Sequence, residues 1–256
     1  MYLKSILISD FDYTLYEHGN PEVFPKNIKA VKKWRQADNY FAVATGRGEE
    51  SLISVWPDCY QHCDFLIFCD GGIIKDRHGK IVYADRFGKE LAEKLASALY
   101  SINYADDHAF ICFGDKKESP TIDAGICKIR LWFNDENDCA AAEQVLATNF
   151  HEEITAIPYY NVTFNDDARL PWVSSSMRHI IEVTHAGTDK STGIKKLLNA
   201  IGVHNRSRII TIGDDKNDIP MIEAFNGYVI ESGNPEVVKT VPDTHRVPHL
   251  YSLMNH

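Results

Sequence analysis

The sequence predicts an α/β protein whose parallel sheet is assembled from two separated stretches of chain, with an α+β layer inserted between them. Three observations carry this. Residues 4–69 alternate short apolar runs with helical patterns, the same alternation returns after residue 190, and the stretch between them pairs strands and helices at a different spacing.

The first apolar run, 4–10, contains Ile6-Leu7-Ile8 and stops at Asp10. Residues 25–38 then set Ile28, Val31 and Trp34 on one helical face. YFAVAT, 40–45, reads as the second strand; a short helix over 48–56 is stopped by Pro57, and DFLIFC, 64–69, is the third strand. This βαβαβ order implies a parallel sheet.

After Gly71-Gly72 the segment IIKDRHGKIVYAD reads as a hairpin turning at His78-Gly79. A helix over 88–102, strands over 109–113 and 128–134, a helix over 136–149, a strand-like 154–164 and a strand over 179–184 follow. The helix over 190–201 buries Ile194, Leu197, Leu198 and Ile201 and ends at Gly202. Strand 207–213, helix 217–225 and strand 227–230 complete the second half. The expected division is 1–84 with 186–256 as a discontinuous core, and 85–185 as the inserted domain.

Composition excludes several partners. A chain of 256 residues with 44% hydrophobic and 25% charged residues has the balance of an ordinary globular protein. Its net charge of -9 argues against nucleic acid or an anionic membrane, which both need clustered Lys and Arg. No run of about 18 apolar residues spans a bilayer, and Met1-Tyr2-Leu3-Lys4 opens no secretory h-region.

The six cysteines are scattered, which suits reduced thiols in a cytoplasmic protein. Cys59, Cys63 and His62 lack the further ligands of a structural zinc site. The sequon Asn161-Val-Thr163 has no meaning without a secretory signal.

Four strands of the outer fold end abruptly in polar groups: Asp10, Thr45, Asp70 and Asp214. In a parallel sheet the carboxyl ends of the strands share one edge, where ligands bind, so these residues are expected to converge. Asp214, Asp215, Asn217 and Asp218 fall within five residues at a helix start. Helix capping accounts for one acid there, not for three with an Asn.

Gathering Asp10, Asp12 and Asp214 is costly, since two carboxylates ~4 Å apart repel by about 4 kcal/mol at an effective dielectric near ~20. A hard divalent ion such as Mg²⁺ would offset this. An EF-hand is excluded, because the sixth and twelfth loop positions after Asp214 or Asp215 are not Gly and Glu.

Lys190, at the start of its helix, is either a local cation for this site or a solvated surface lysine. Thr45-Gly46-Arg47 opens a helix, which is either an anion-binding turn or an ordinary βα turn. Gly46-x-Gly48-x-x-Ser51 only partly matches a dinucleotide fingerprint, and no G-x-S-x-G is present.

Taken in order, Asp10-Phe-Asp12-Tyr-Thr14, Thr45-Gly46-Arg47, Lys190 and Gly213-Asp214-Asp215-Lys-Asn217-Asp218 resemble the four motifs of the haloacid dehalogenase-like phosphohydrolases, specifically the Cof-type group. The resemblance implies a Rossmann-like three-layer core with an inserted α+β cap. It further implies that Asp10 attacks phosphorus and becomes an aspartyl phosphate, and that Asp12 protonates the leaving oxygen and then activates water.

By the same resemblance, Mg²⁺ is held by the Asp10 carboxylate, the Asp12 carbonyl and Asp214, with Asp218 steadying its waters. Thr45, Gly46 and Lys190 hold the phosphoryl oxygens, with Asn217 and Arg47 beside them. The chain departs from the group at Tyr13, where Gly is usual, at Asp70-Gly71-Gly72, where Asn-Gly-Ala is usual, and in its C-terminal tail.

The expected function is Mg²⁺-dependent hydrolysis of small phosphorylated metabolites, sugar phosphates foremost. Lys128 and Arg130, on an inserted-domain strand, either reach a substrate anion or are solvated. The alternatives are a phosphotransferase or phosphosugar mutase of the same superfamily, a receiver-like phospho-Asp signalling module, and a dinucleotide-binding protein.

Overall fold

The structure, a computed structural model, describes residues 4–100, 110–114, 122, 125–162 and 179–254. The last two residues of the helix expected over 88–102, the first of strand 109–113, the end of 154–164 and Thr163 of the sequon lie outside them. No described helix is long and apolar enough to cross a membrane.

The chain divides into two compact units, Met1–Tyr83 with Asp189–His256, and Ala84–Thr188. The first segment of the first unit carries β1 (Ile6–Ser9), α1 (Val23–Gln36), β2 (Tyr40–Ala44), α2 (Glu49–Val55), α3 (Cys59–His62), β3 (Phe65–Phe68), β4 (Ile73–Asp76) and β5 (Ile81–Ala84). The second unit carries α4 (Lys89–Tyr100), β6 (Phe110–Gly114), β7 (Ile126–Phe133), α5 (Glu136–Phe150), β8 (Ile154–Tyr159) and β9 (His179–His185). The chain then returns with α6 (Lys190–Ile201), β10 (Ile209–Gly213), α7 (Ile219–Phe225), β11 (Tyr228–Ile230), α8 (Pro235–Val238) and β12 (Arg246–Val247).

The core is an α/β fold around one eight-stranded sheet in the order β12-β11-β10-β1-β2-β3-β4-β5. The run from β12 to β3 is parallel, and β4 turns back antiparallel to β3. β1 sits between strands from both segments, with Ile6 level with Ile209 on one side and Tyr40 on the other. All four of its residues are buried, as expected of a strand covered on both faces.

On one face Ile6, Ile8, Ala42, Ala44 and Ile67 pack under Ile194 and Leu197 of α6 and Met221 and Ile222 of α7. The alternate residues Leu7, Phe41, Val43 and Leu66 are buried on the other. The tail, to which the sequence assigns no element, supplies β12 as an edge strand beside β11.

The second unit has a four-stranded antiparallel sheet, β6-β7-β9-β8. Alternation along β7 and β9 sends Ile129, Leu131, Phe133, Ile181 and Val183 into a core with Leu95 and Leu99 of α4 and Leu146 of α5. Asp135 caps α5 by accepting from the Asn137 and Asp138 amides.

The opposite register carries Lys128, Arg130 and Glu182. Lys128 is fully buried and donates to Glu182 at 2.9 Å, and Arg130 donates to the same carboxylate at 2.8 Å. Solvation of Lys128 is thus ruled out. Its charge is taken out of water with a partner, which is how buried lysines persist.

Candidate active site

The parallel register brings the ends of β1, β2 and β10 to one edge of the sheet. Ser9 lies level with Val43 and Ile212, so the residues after each strand, Asp10, Thr45 and Asp214, emerge side by side. The Asp10 amide donates to the Ile212 carbonyl at 2.9 Å, which fixes the carboxylate at this edge. Both Asp10 and Asp214 are buried.

Lys190 is the cation of this site. It is the first residue of α6, whose capping box is closed by Asp189 and Thr192. Its side chain is completely buried, and Nζ donates to Asp10 Oδ1 at 2.6 Å and Asp218 Oδ1 at 2.5 Å. Burial opposes the ammonium charge, but the carboxylates of Asp10, Asp218 and Asp70 outweigh it and hold Lys190 protonated.

Asp218, fully buried, serves as a scaffold. Its Oδ2 accepts from the Asp214 and Asp215 amides at 2.9 and 3.1 Å, while Oδ1 takes Lys190. This closeness needs Gly213, where a Cβ would come within 2.4 Å of the Asp218 side chain. Asp215 caps the following turn by accepting from the Lys216 amide and takes a bond from Asn234 Nδ2, so its role is structural.

Asp10, Asp214 and Asp218 form the one such group of acids among the described residues, with a carboxylate oxygen of each within 4.8 Å of the others. Burial pushes Asp10 well above the usual carboxylate range and, helped by the Asp218 charge, raises Asp214 to about 7. An ionised pair here therefore calls for positive charge beyond Lys190. Buried, hard oxygen donors fit Mg²⁺. Asp10 and Asp214 are the ligands this arrangement offers most directly, because Asp218 is already engaged with Lys190 and two amides.

A carboxyl whose folded pKa is raised from an unfolded ~3.9 adds stability that is complete below that value and lost as pH rises through ~7. Mg²⁺ is therefore expected to raise the thermal midpoint more at about pH 8 than at about pH 5.5. Thermal unfolding with and without Mg²⁺ at both pH values checks this, and a larger shift at the lower pH would contradict it.

Asp12 has a different environment. Arg47 Nε and Nη2 donate to its two oxygens, both at 2.7 Å, and His18 Nε2 lies 2.8 Å from Oδ1. Burial works to raise this carboxyl, and the bonds from His18 and Arg47 prevail, holding it well below the usual range. Arg47 was expected beside the phosphoryl oxygens. In the structure its guanidinium lies across Asp12.

Thr45 is buried, and its Oγ1 accepts from the Arg47 amide at 3.1 Å. Asn217 Nδ2 donates to Asp70 Oδ1 at 3.3 Å, which places both near Gly46. Tyr13 takes a left-handed backbone, φ 57°, a conformation that glycine adopts freely, so its departure is one of side chain more than of turn shape. Its exposed ring lies 4.7 Å from that of His18.

Two contacts of the site are not legible in the sequence. Thr14 Oγ1 donates to Asp214 Oδ1 at 2.6 Å, across 200 residues of chain. Its position after the two acids was visible, but its partner was not. His18 carried no signal, because it belongs to a loop whose path the sequence leaves open.

The sequence profile of the haloacid dehalogenase-like hydrolases matches residues 7–245. In an alignment 263 positions long the chain is 25% identical to the chloroplastic endoribonuclease YBEY of Arabidopsis thaliana, covering 93% of this chain and 43% of that protein. A 64-residue stretch, 25% of this chain and 21% of the other, is 39% identical to the 5-amino-6-(5-phospho-D-ribitylamino)uracil phosphatase YitU of Bacillus subtilis. The chain thus spans less than half the length of the Arabidopsis protein, and only a short stretch of it matches the B. subtilis one.

Among solved structures, a haloacid dehalogenase-like hydrolase from Bacteroides thetaiotaomicron superposes with a TM-score of 0.75 at 16% identity, covering 99% of both chains. A HAD/COF-like hydrolase from Plasmodium vivax gives 0.71 at 18% identity, covering 98% of this chain and 94% of that one. These two likenesses establish the fold.

Proposed function

The chain belongs to the haloacid dehalogenase-like hydrolases of the Cof type, and from that premise we propose that it is a Mg²⁺-dependent phosphatase of small phosphorylated metabolites, sugar phosphates foremost. The observation that carries this reading is the buried Lys190 bridging Asp10 and Asp218 at the carboxyl edge of the sheet, with Asp214 beside them. The phosphatase activity of the partly matching B. subtilis relative is consistent with it.

In the proposed cycle an Asp10 oxygen bonds to phosphorus as the bond to the leaving oxygen breaks, and Asp12 gives that oxygen a proton. Water then attacks the aspartyl phosphate, its proton passes to Asp12, and the bond from phosphorus to Asp10 breaks to release inorganic phosphate. Lys190, Thr45, the Gly46 amide and Asn217 hold the phosphoryl oxygens. Asp10 and Asp214, with the Asp12 carbonyl, would hold Mg²⁺, which when bound neutralises phosphoryl charge.

The Arg47 and His18 bonds favour ionised Asp12, the form that activates water. Acting as the acid of the first step requires a proton that Arg47 opposes, so substrate entry must loosen that contact.

Phosphate release from a panel of phosphosugars and nucleotides with Mg²⁺ tests the reading. Hydrolysis of none of them, or an isomerised phosphosugar without free phosphate, would reject it. Asp214→Asn is expected to raise the Mg²⁺ concentration for half-maximal activity by about tenfold or more, in line with the loss of an ionic ligand. An unchanged Mg²⁺ titration would remove Asp214 from the ligand set.

A further inference from the structure

We infer that Asp70 sets the phosphate affinity of this site: it is a built-in anion that competes with the bound phosphoryl group and so keeps the product, inorganic phosphate, weakly held. The inference rests on the phosphatase reading above and assigns to that site a residue that tunes its phosphate affinity.

The backbone commits the carboxylate to this place. Cys69, Asp70 and Gly71 are successive left-handed residues, with φ of 54°, 52° and 105°, a conformation that the Cys69 side chain in particular disfavours. The turn is pinned on every side. The Asp70 amide donates to the Thr45 carbonyl and the Cys69 amide to the Arg47 carbonyl, each at 3.0 Å. On the other side Gly71 lies against α6, where a Cβ would come within 2.2 Å of the Asp189 carbonyl oxygen. Backbone strain that is held from both sides in this way is a feature of functional positions.

The side chain so placed faces phosphate-holding groups. Its two oxygens lie 3.1 and 3.2 Å from the point where a Cβ on Gly46 would stand, so they occupy the space in front of that glycine. Oδ1 accepts from Asn217 Nδ2 at 3.3 Å, and the Asp70 charge is one of those that stabilise the Lys190 ammonium. Gly46, Asn217 and Lys190 are three of the groups assigned to the phosphoryl oxygens. Asp70 therefore offers Asn217 and Lys190 an anion, and crowds the Gly46 turn, before substrate arrives.

A phosphoryl dianion entering beside this carboxylate meets like charge and must draw Asn217 away from an existing partner. Both effects weaken binding of any phosphate, but they act hardest on free inorganic phosphate, which has no leaving group to contribute contacts elsewhere. The amide of Asn has the same shape and keeps an oxygen for Asn217, so Asp70→Asn removes the charge and little else.

Binding of inorganic phosphate to the protein in the presence of Mg²⁺, measured by calorimetry, tests this. Asp70→Asn is expected to bind phosphate about tenfold tighter, ~1.4 kcal/mol, with the gain shrinking at about 0.5 M salt as screening removes the difference. Asp70→Ser should shift affinity in the same direction, which guards against misfolding of either single variant. Equal or weaker binding in the folded variants, with phosphate bound by the unaltered protein, would overturn the role of Asp70 and leave the phosphatase reading standing. Absence of phosphate binding in all three proteins would overturn the phosphatase reading, and this inference with it.

Discussion

Asp10→Asn is expected to lower phosphate release from an aryl phosphate by about a thousandfold or more while leaving the fold intact. The amide matches the carboxylate in shape but does not attack phosphorus. The Asp10 carboxyl is buried among Asp12, Asp214 and Asp218, which makes its charge costly to the folded state. The unfolding free energy of the variant should therefore be no lower than that of the unaltered protein by more than ~1 kcal/mol. Release rates and a urea transition measured on the same preparation separate the two effects. Activity near the starting level in a folded variant would remove Asp10 as the nucleophile.

Lys190→Met should be the most disruptive single change in the core. Met fills much the same volume, so packing is nearly kept, but Asp10 and Asp218 lose the ammonium that lies 2.6 and 2.5 Å from them. Breaking a buried pair by removing one partner costs about 3–5 kcal/mol, a large part of a typical stability of about 5–15 kcal/mol. Activity should fall to background as well. Adding Asp218→Asn to Lys190→Met is expected to recover part of the stability and none of the activity, since it removes one of the stranded charges. A Lys190→Met protein with an unchanged denaturation midpoint would show that the bridge contributes nothing to the fold.

Much of the core could be read from the sequence because its parallel strands are short apolar runs that end at a polar residue. SILIS before Asp10, YFAVA before Thr45 and IITIG before Asp214 each announce a buried strand and the edge it reaches. Asp10, Thr45 and Asp214 were therefore visible as candidates that the fold would gather.

What the sequence left open depends on side-chain direction. Arg47 follows Thr45 and Gly46 in the chain, yet its guanidinium turns to Asp12. Lys190 and Lys128 look like any lysine in sequence, and burial is settled only when distant carboxylates, Asp10 and Asp218 for one and Glu182 for the other, arrive in space. β12 was missed because Arg246 and Val247 form too short a run to show alternation, and they become a strand only because β11 offers an unpaired edge.

The seat of β1 between β2 and β10 bears on synthesis at the ribosome. β2 follows β1 closely, but β10 ends at Gly213, so one flank of β1 stays open while some two hundred further residues are made. At ~5–20 residues per second that delay is about 10–40 s. During it, the nascent chain presents the bare amides and carbonyls of an apolar strand, the kind of template that recruits other chains. Slowed translation should therefore increase aggregation of newly made protein, and chaperones that shield extended segments should reduce it.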